Sequence, residues 1–524
     1  MKEASALLVP ALCLGLTGVA YAQSDAAPGA VEPSPAMPLT PQTGDAASQP
    51  SPKALDEIVV TATKRQVNAR DLPASITALR GSDLEQRGYQ SQEDFLKLVP
   101  GVTFYDDTIT TNRITIRGIG ADLNTSNTTG VFIGDVPFED PILPRVTLDP
   151  NTFDLARVEI LKGPQGTLFG GSALNGAVRY VPEEPLLGNW ETKAFYQLED
   201  VIEGGKGPTF GGALNLPIGQ TAAVRLVGFD RKSPGWVDDL TRGIKNVNQT
   251  LQSGGRLMGL WQPGESWKIS AMGIIQGTFA KDTSLTDNRN GVPSRDDTPQ
   301  ASPTQTYYDL ETLGVQYSFN TFDVLSQTSR TYKHFNGVED ASRIGNVVTP
   351  PPPSLTITAD NRSASFMEEL RLTSNAGFNP DWKWLGGAFY RRVRISEIDD
   401  ILASQLSLPL PSSLLGTLSD LIPGFTGYIT PQGQINTTQS NASPIIVGES
   451  ALFGETSITF WHRLEVTLGL RAFHTDSESD VYFAGVLAAN KLVSSLSTQS
   501  LEAGSLKAEG LDPKFALKSG LSQR

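Results

Sequence analysis

Cysteine is almost absent: the chain of 524 residues has one, Cys13. It lies in an apolar stretch near the N-terminus, so the rest of the chain has no disulfide, no thiolate metal site and no cysteine nucleophile. Long hydrophobic runs are missing as well. Beyond residue 25 none reaches the roughly 18 apolar residues of a membrane-crossing helix, which excludes a transmembrane helical bundle. Charge is sparse at 19% of residues, and basic charge is the scarcer sign, with 42 Lys and Arg against 56 Asp and Glu and a net charge of -14. Phosphate binding needs a basic face, so nucleic acid is excluded as a general partner.

Chemistry-bearing motifs are equally scarce. The three histidines, His334, His462 and His474, show no metal-ligand spacing, and no metal or other cofactor is expected. Gly163-Pro164-Gln165-Gly166 lacks the lysine of a phosphate loop and is not expected to lead into a helix. Gly170-Gly171-Ser172-Ala173-Leu174 has Leu where a nucleophile elbow needs its last glycine. An enzyme is therefore set aside.

What is present begins with an export signal over residues 1–22. Lys2 precedes the apolar stretch Ala6 to Leu16, and Ala20-Tyr21-Ala22 supplies a small-x-small cleavage pattern. Residues 23–54 are rich in Ala, Pro, Ser, Gln and Thr and cannot bury enough surface to offset chain entropy, so a mobile periplasmic tether is expected. A β-prone run follows within residues 55–64, Leu55 to Thr63. Its place behind a tether allows two readings: a free strand that adds to a partner's sheet edge, or the first strand of the next domain.

That domain is expected over residues 65–185 as a small α+β unit. Ser82, with Glu85 three residues on, predicts a capped helix over Ser82 to Gln86, and a second helix is expected at Ser91 to Leu98 before Pro100-Gly101. Short strands are expected at Arg113 to Arg117, Val131 to Ile133, Arg157 to Leu161 and Ala177 to Val181, separated by glycine-containing turns.

Several of these segments together resemble the plug of TonB-dependent outer-membrane receptors. They are Ile114 to Gly118, Val131 to Pro137, Asp154 to Gly170 and Asn175 to Val181. Glu57, Ile58, Val59, Val60, Thr61 and Ala62 are similar to the family's TonB box, at the expected place between tether and plug. The stretch Gly171-Ser172-Ala173-Leu174 departs from the family pattern at a turn. The resemblance implies an α+β plug domain inside a transmembrane antiparallel β-barrel of about 22 strands. It also implies that the box pairs with TonB, the inner-membrane-anchored energy transducer. Its plug motif falls on Arg117, Gly118, Asp135, Arg157, Glu159, Gly163, Pro164, Gly166, Gly170 and Gly176. Within a barrel, Arg117, Arg157 and Glu159 either face solvent or pair with the wall.

From residue 186 to 524, segments of about ten residues alternate apolar with polar character, as transmembrane β-strands do. Strands are expected at Thr192–Glu199, Thr209–Leu216, Ala222–Asp230, Gly255–Gln262, Trp267–Gln276 and Leu310–Phe319. More are expected at Phe322–Tyr332, Ser365–Thr373, Trp382–Val393, Ser450–Phe460 and Arg463–Phe473, with a last one from Leu511 to Lys518. Trp190, Trp236, Trp261, Trp267, Trp382, Trp384 and Trp461 lie near strand ends, as interfacial girdles do. External loops are expected at Ala280 to Gln305, Gly337 to Asn361 and Ile395 to Pro444, where Leu406 to Leu421 is apolar enough for a folded hairpin or helix.

The implied activity is active import across the outer membrane of a Gram-negative bacterium. A small extracellular ligand, by default a ferric siderophore, binds between outer loops and plug. TonB then pulls the box, driven by the inner-membrane proton gradient. Carbohydrate, cobalamin or an aromatic compound are alternative cargoes, and a non-transporting or truncated surface binding receptor is the alternative class. A signal transducer is disfavoured because the tether has no room for another folded module. About a dozen strands are too few for the family's barrel, and a half barrel leaves an unpaired edge in lipid, so a barrel cut short is expected.

Overall fold

The computed structural model describes residues 59–519 except 62, 66, 73, 107–111, 121–127, 143–148, 172, 287–292, 297–298, 341–353, 405–434, 462 and 485–500. The expected export signal, the tether and box residues Glu57, Ile58 and Ala62 lie outside the described residues, as do His462 and the apolar stretch Leu406 to Leu421.

The plug is built from β1 (Val59–Val60), β2 (Val67–Asn68), β3 (Ser75–Arg80), α1 (Gly81–Gln86), α2 (Gln92–Leu96), β4 (Val102–Asp106), β5 (Asn112–Ile116), β6 (Thr129–Ile133), β7 (Val136–Pro137), β8 (Leu155–Lys162), α3 (Gly166–Phe169) and β9 (Gly176–Pro182). A five-stranded sheet in the order β3-β8-β9-β6-β7 forms its centre, antiparallel except for the β6–β9 pair. Leu84, Phe95, Leu96, Val158, Ile160, Val178 and Tyr180 fill the core against it.

The four strands expected in this region are present, and β2, β3, β4 and β7 are additional. The capping box sits on the other helix. At α2, Ser91 and Asp94 cap each other's backbone, whereas α1 starts after Arg80 with no side-chain cap and Glu85 accepts instead from the Asp154 N–H. The expectation that no helix follows Gly163-Pro164-Gln165-Gly166 is also corrected: one turn, α3, begins at Gly166.

Fourteen strands follow: β10 (Glu191–Asp200), β11 (Lys206–Ile218), β12 (Ala222–Ser233), β13 (Asp238–Asp239), β14 (Thr250–Trp261), β15 (Trp267–Ala280), β16 (Ser294–Arg295), β17 (Thr304–Ser318), β18 (Phe322–Asp340), β19 (Ser354–Ser374), β20 (Trp382–Ser404), β21 (Ile435–Phe460), β22 (Leu464–Ala484) and β23 (Leu501–Ser519). All but β13 and β16 form one antiparallel sheet of 12 strands in chain order, with β10 and β23 at its edges. Every expected barrel strand coincides with one of these. The long ones run well past the expected boundary at one end, because alternation gives way there to polar sequence that continues as strand outside the apolar band.

That end is defined by the connections. Short turns at 219–221, 262–266, 319–321, 375–381 and 461–463 join the strands at one end, whereas at the other end successive strands are separated in sequence by 5 residues at 201–205 and by at least 13 everywhere else. Long loops outside and short turns inside are the outer-membrane pattern. The loop at 234–249 was not expected. It carries two hydrogen bonds from the Trp236 and Val237 N–H groups to Asn248, so Trp236 belongs to a loop rather than a girdle. At the turn end, Trp267, Tyr317, Phe319, Phe322, Trp384, Phe378 and Trp382 form a chain of ring contacts with centroids 4.6–6.2 Å apart.

The sheet curls around the plug. Gln90 of the plug donates to Gln197 on edge strand β10, while Thr167 donates to the Asp512 carbonyl on edge strand β23. Neighbouring strands sit about 4.8 Å apart, so a flat sheet of this width could not bring both edges to one small domain.

Candidate functional site

The residues expected as the TonB box enter the described structure at Val59. Val59–Val60 pairs antiparallel with Val67–Asn68. Val60 is buried while Val59 is about half exposed. The strand is therefore docked rather than loose. Thr61 fixes it further: its N–H donates to Glu159 Oε1 at 2.9 Å, and its Oγ1 accepts from Arg157 at 2.8 Å and also from Arg179.

These partners open a continuous chain of charges. Glu159 accepts from Arg157 at 2.7 Å and from Arg179 at 3.1 Å, and Arg179 also donates to Asp135 at 2.9 Å. Asp135 accepts from Arg371 of β19 at 3.0 Å, Arg371 donates to Glu369 at 3.0 Å, and Glu369 holds Lys64 at 2.5 Å. The chain leaves the box at Thr61, crosses the plug to the wall and returns to the peptide three residues on. Burial alone would raise the Asp135 carboxyl. Arg179, Arg371 and Lys64 outweigh it and hold the group well below the ordinary carboxylate range. Burial lowers the Lys64 ammonium below the ordinary lysine value, with Glu369 opposing. Removing one member of such a buried pair is costly, because the other is left charged without a partner.

Further seam contacts surround the plug. Arg225 of β12 grips Asp154 at 2.5 and 2.7 Å, and Lys193 of β10 adds a contact at 3.1 Å. Lys333 of β18 holds Asp140 at 2.7 Å. Gln252 and Gln276 donate to the Asp149 carbonyl at 3.0 and 2.8 Å.

The motif residues divide by role. Arg157, Glu159 and Asp135 meet in the charge chain. Gly163, Pro164, Gly166 and Gly170 shape the turn and the α3 segment that faces β23 across a cavity of 210 Å³. A Cβ on Gly176 would stand 2.3 Å from the Leu161 carbonyl, so close backbone approach explains that glycine, whereas one on Gly166 would meet the carboxylate end of the Asp512 side chain at 1.9 Å. Arg117 and Gly118 form an exposed turn after β5 with φ of 55° and 77°. The wall-pairing expectation is corrected accordingly. Arg117 is exposed and Arg157 and Glu159 pair within the plug, while Asp135, Asp140, Asp154 and Lys64 reach the wall.

Sequence reasoning missed Lys64 and the wall partners Arg225, Lys333, Glu369 and Arg371. The usable signal was parity: Glu369 and Arg371 alternate with Leu370 and Leu372, which puts charge on the face opposite the leucines.

A sheet with an apolar outer face, curled around an α+β plug joined to it by buried charges, defines an outer-membrane receptor of the plugged-barrel class. Family models described as TonB-dependent Receptor Plug Domain and TonB dependent receptor-like, beta-barrel match residues 68–177 and 228–506. The chain belongs to the TonB-dependent receptor family. It is 31% identical over 148 residues to the iron-regulated outer membrane virulence protein of Vibrio cholerae, covering 26% of this chain and 22% of that one. It is 30% identical over 148 residues to a hemin receptor of Yersinia pestis, covering 28% and 21%. Among solved structures, the ferric yersiniabactin uptake receptor FyuA from Yersinia pestis superposes with a TM-score of 0.62 at 15% identity over 85% of this chain and 61% of that one. The unliganded ferric citrate transporter FecA gives 0.60 at 12% identity over 85% and 60%. The matches thus span about a fifth of the curated relatives' length and about three fifths of these solved chains.

Proposed function

We propose that this chain is the plug and part of the barrel of an active importer in a Gram-negative outer membrane, exported by residues 1–22 and tethered by residues 23–54. TonB pairs with the box, Glu57 to Ala62, and draws on the inner-membrane proton gradient. The cargo is a scarce iron complex, by default a ferric siderophore. The names of the similar proteins support an iron complex, since they include a hemin receptor, a ferric yersiniabactin uptake receptor and a siderophore receptor. Carbohydrate, cobalamin and aromatic cargoes are the alternatives.

The observation that carries the reading is the docking of Thr61 on a charge chain that continues into the wall. A segment held by side-chain contacts and one short strand pair can be released as a unit. Its main chain is then open to strand addition by a partner, in which backbone hydrogen bonds provide the affinity.

The test is a proline at Val59 or Val60, which removes a backbone donor. Uptake of radioactive ferric siderophore by cells should be abolished while ligand binding to the surface is retained. Uptake that survives the proline rejects the box. Binding without accumulation in the unsubstituted protein selects the non-transporting receptor instead.

A further inference from the structure

We infer that the outward face of β17, β18 and β19 is a docking surface for a second copy of this chain, with a two-fold axis running along the membrane normal beside β18.

On β22 the outward residues for eight positions from the turn end are Val466, Leu468, Leu470 and Ala472, and β15 is likewise uncharged there. β18 breaks the pattern. Ser329, Thr331 and Lys333 are buried on its inner face, which leaves Val324, Ser326, Thr328 and Arg330 outward. Glu368, the outward carboxylate of β19, stands opposite Thr328 and accepts from Thr328 and, at 2.9 Å, from Ser326. Glu311 of β17 stands opposite Arg330, with 3.5 Å between carboxylate and guanidinium and both side chains more than half exposed. At about 3.3 Å per residue and a tilt of about 40°, Ser326, Thr328 and Arg330 rise roughly 10, 15 and 20 Å above Phe322, inside an apolar band about 25 Å tall.

Hydrocarbon offers these groups nothing. Neutral hydroxyls hold Glu368 but cannot balance its charge, and Arg330 meets Glu311 at a distance too long for a strong hydrogen bond. Charge on the lipid face is costly at such depths. The patch is complementary to itself, however: a cation on the centre strand has a carboxylate on the strand at either side. A two-fold contact requires that property, because each group meets its opposite sign on the other copy. An axis along the membrane normal also keeps every residue at its own depth. Arg330 lies two positions along from the residue opposite Glu368, a step of roughly 7 Å that an arginine side chain spans, so each Arg330 reaches the Glu368 of the other copy. Leu313, Phe366 and Leu370, each close to half exposed, frame the charges and supply apolar packing around them.

The experiment uses the whole chain in outer membranes on a Cys13→Ser background. One reporter is introduced at a time, Leu313→Cys, Thr328→Cys or Leu370→Cys in the patch, with Leu452→Cys, outward on β21, as the control. Mild oxidation is followed by non-reducing electrophoresis. A disulfide forms only where two Cα atoms come within about 7 Å, so at least about fivefold more dimer is expected for one or more patch reporters than for the control. Arg330→Glu should abolish that dimer, and Arg330→Glu with Glu368→Arg should restore it, since the swap rebuilds the pairs across the axis. Arg330→Met, which should weaken the dimer, covers the case in which the glutamate variant does not insert. Dimer at none of the three patch positions overturns the proposal and leaves the face to lipid. Equal dimer at patch and control overturns it as random collision, and a product of other than twice the chain's mass gives the patch to a different protein. Dimer unchanged by either Arg330 variant overturns it as well, because the charges then play no part.

Discussion

On β19 the residues facing the plug are Ser363, Ser365, Met367, Glu369 and Arg371, and those facing away are Ala364, Phe366, Leu370 and Leu372, with Glu368 among them. The rest of the wall repeats the division. Arg225, Arg256, Lys333, Arg391 and Arg471 are buried on the inner face, while Leu226, Leu257, Ile275, Leu313, Leu452, Leu468 and Phe515 are exposed on the outer one. A soluble protein buries the second set and exposes the first. The inversion follows from the two surroundings of one sheet. Lipid accepts hydrocarbon outside, and inside the plug and the neighbouring wall strands supply polar partners, as Asp154 does for Arg225 and Glu449 for Arg471. The two faces are thus held by different forces, and substitutions can set one against the other.

The largest effect is expected on the inner face. Asp154→Ala leaves Arg225, fully buried and gripped by that carboxylate, without its main counter-charge. Breaking such a pair from one side costs about 3–5 kcal/mol. Chemical denaturation of the folded protein should show that loss. The double variant Asp154→Leu with Arg225→Met should recover most of it, because the stranded charge goes as well. A single variant as stable as the parent shows that solvent reaches the seam.

The outer face comes next. Leu452, far exposed in the middle of β21's apolar run, should tolerate Ala but not Arg. A cation at the bilayer midplane costs about 2–4 kcal/mol in such barrels. The same Leu452→Arg protein should lose much less in a detergent whose head groups reach the site than in a bilayer. Equal loss in both would assign Leu452 to a protein contact in place of lipid.

The contrast also explains what was legible in the amino-acid order. Alternation with period two is a local property, so each strand's existence, and the Leu or Phe on its outer face, could be read directly. The plug motif was legible because Gly166, Gly170 and Gly176 answer to local turns and close approaches. The pairing of charges was not. Asp135 meets Arg371 across 236 positions and Lys64 meets Glu369 across 305, and nothing in either neighbourhood names the partner. Strand ends toward the loops were misjudged because polar sequence there looked like loop, while the backbone ladder ran on without the membrane pattern. The Ser82 cap failed for a different reason. Glu85 had a more distant partner in the Asp154 N–H, and tertiary contact overrode the local signal.

The smallest effect sharpens the comparison within the inner face itself. Three plug carboxylates at the seam, Asp135, Asp140 and Asp154, have basic partners on the wall, but Asp149 has no ion pair among the described residues. It is partly buried, and among the described residues its side chain accepts from the Gln92 N–H, at 2.9 Å. Burial raises the Asp149 carboxyl from 3.8 to about 6, with Asp94 and Glu93 adding to the rise against Arg231 and the Gln92 bond. A carboxyl whose value is higher in the folded than in the unfolded chain binds its proton more tightly when folded. Its contribution to stability is therefore greatest at low pH and is lost as pH climbs from about 4 to about 6. Two units correspond to about 3 kcal/mol at most, and partial exposure reduces this to about 1–2 kcal/mol. Asp135 and Asp154, held low by their partners, act in the opposite sense and lose their contribution only as pH falls below the ordinary carboxylate range. Burial also raises Glu183, which acts in the same sense as Asp149, so the difference between proteins is the quantity to read. Thermal unfolding of the parent and of Asp149→Asn across pH 4 to 7.5 should show the parent losing more of its stability than the variant as pH rises. Parallel curves would mean that the Asp149 carboxyl is solvated at the seam after all, and that a wall partner is not what separates it from the other three.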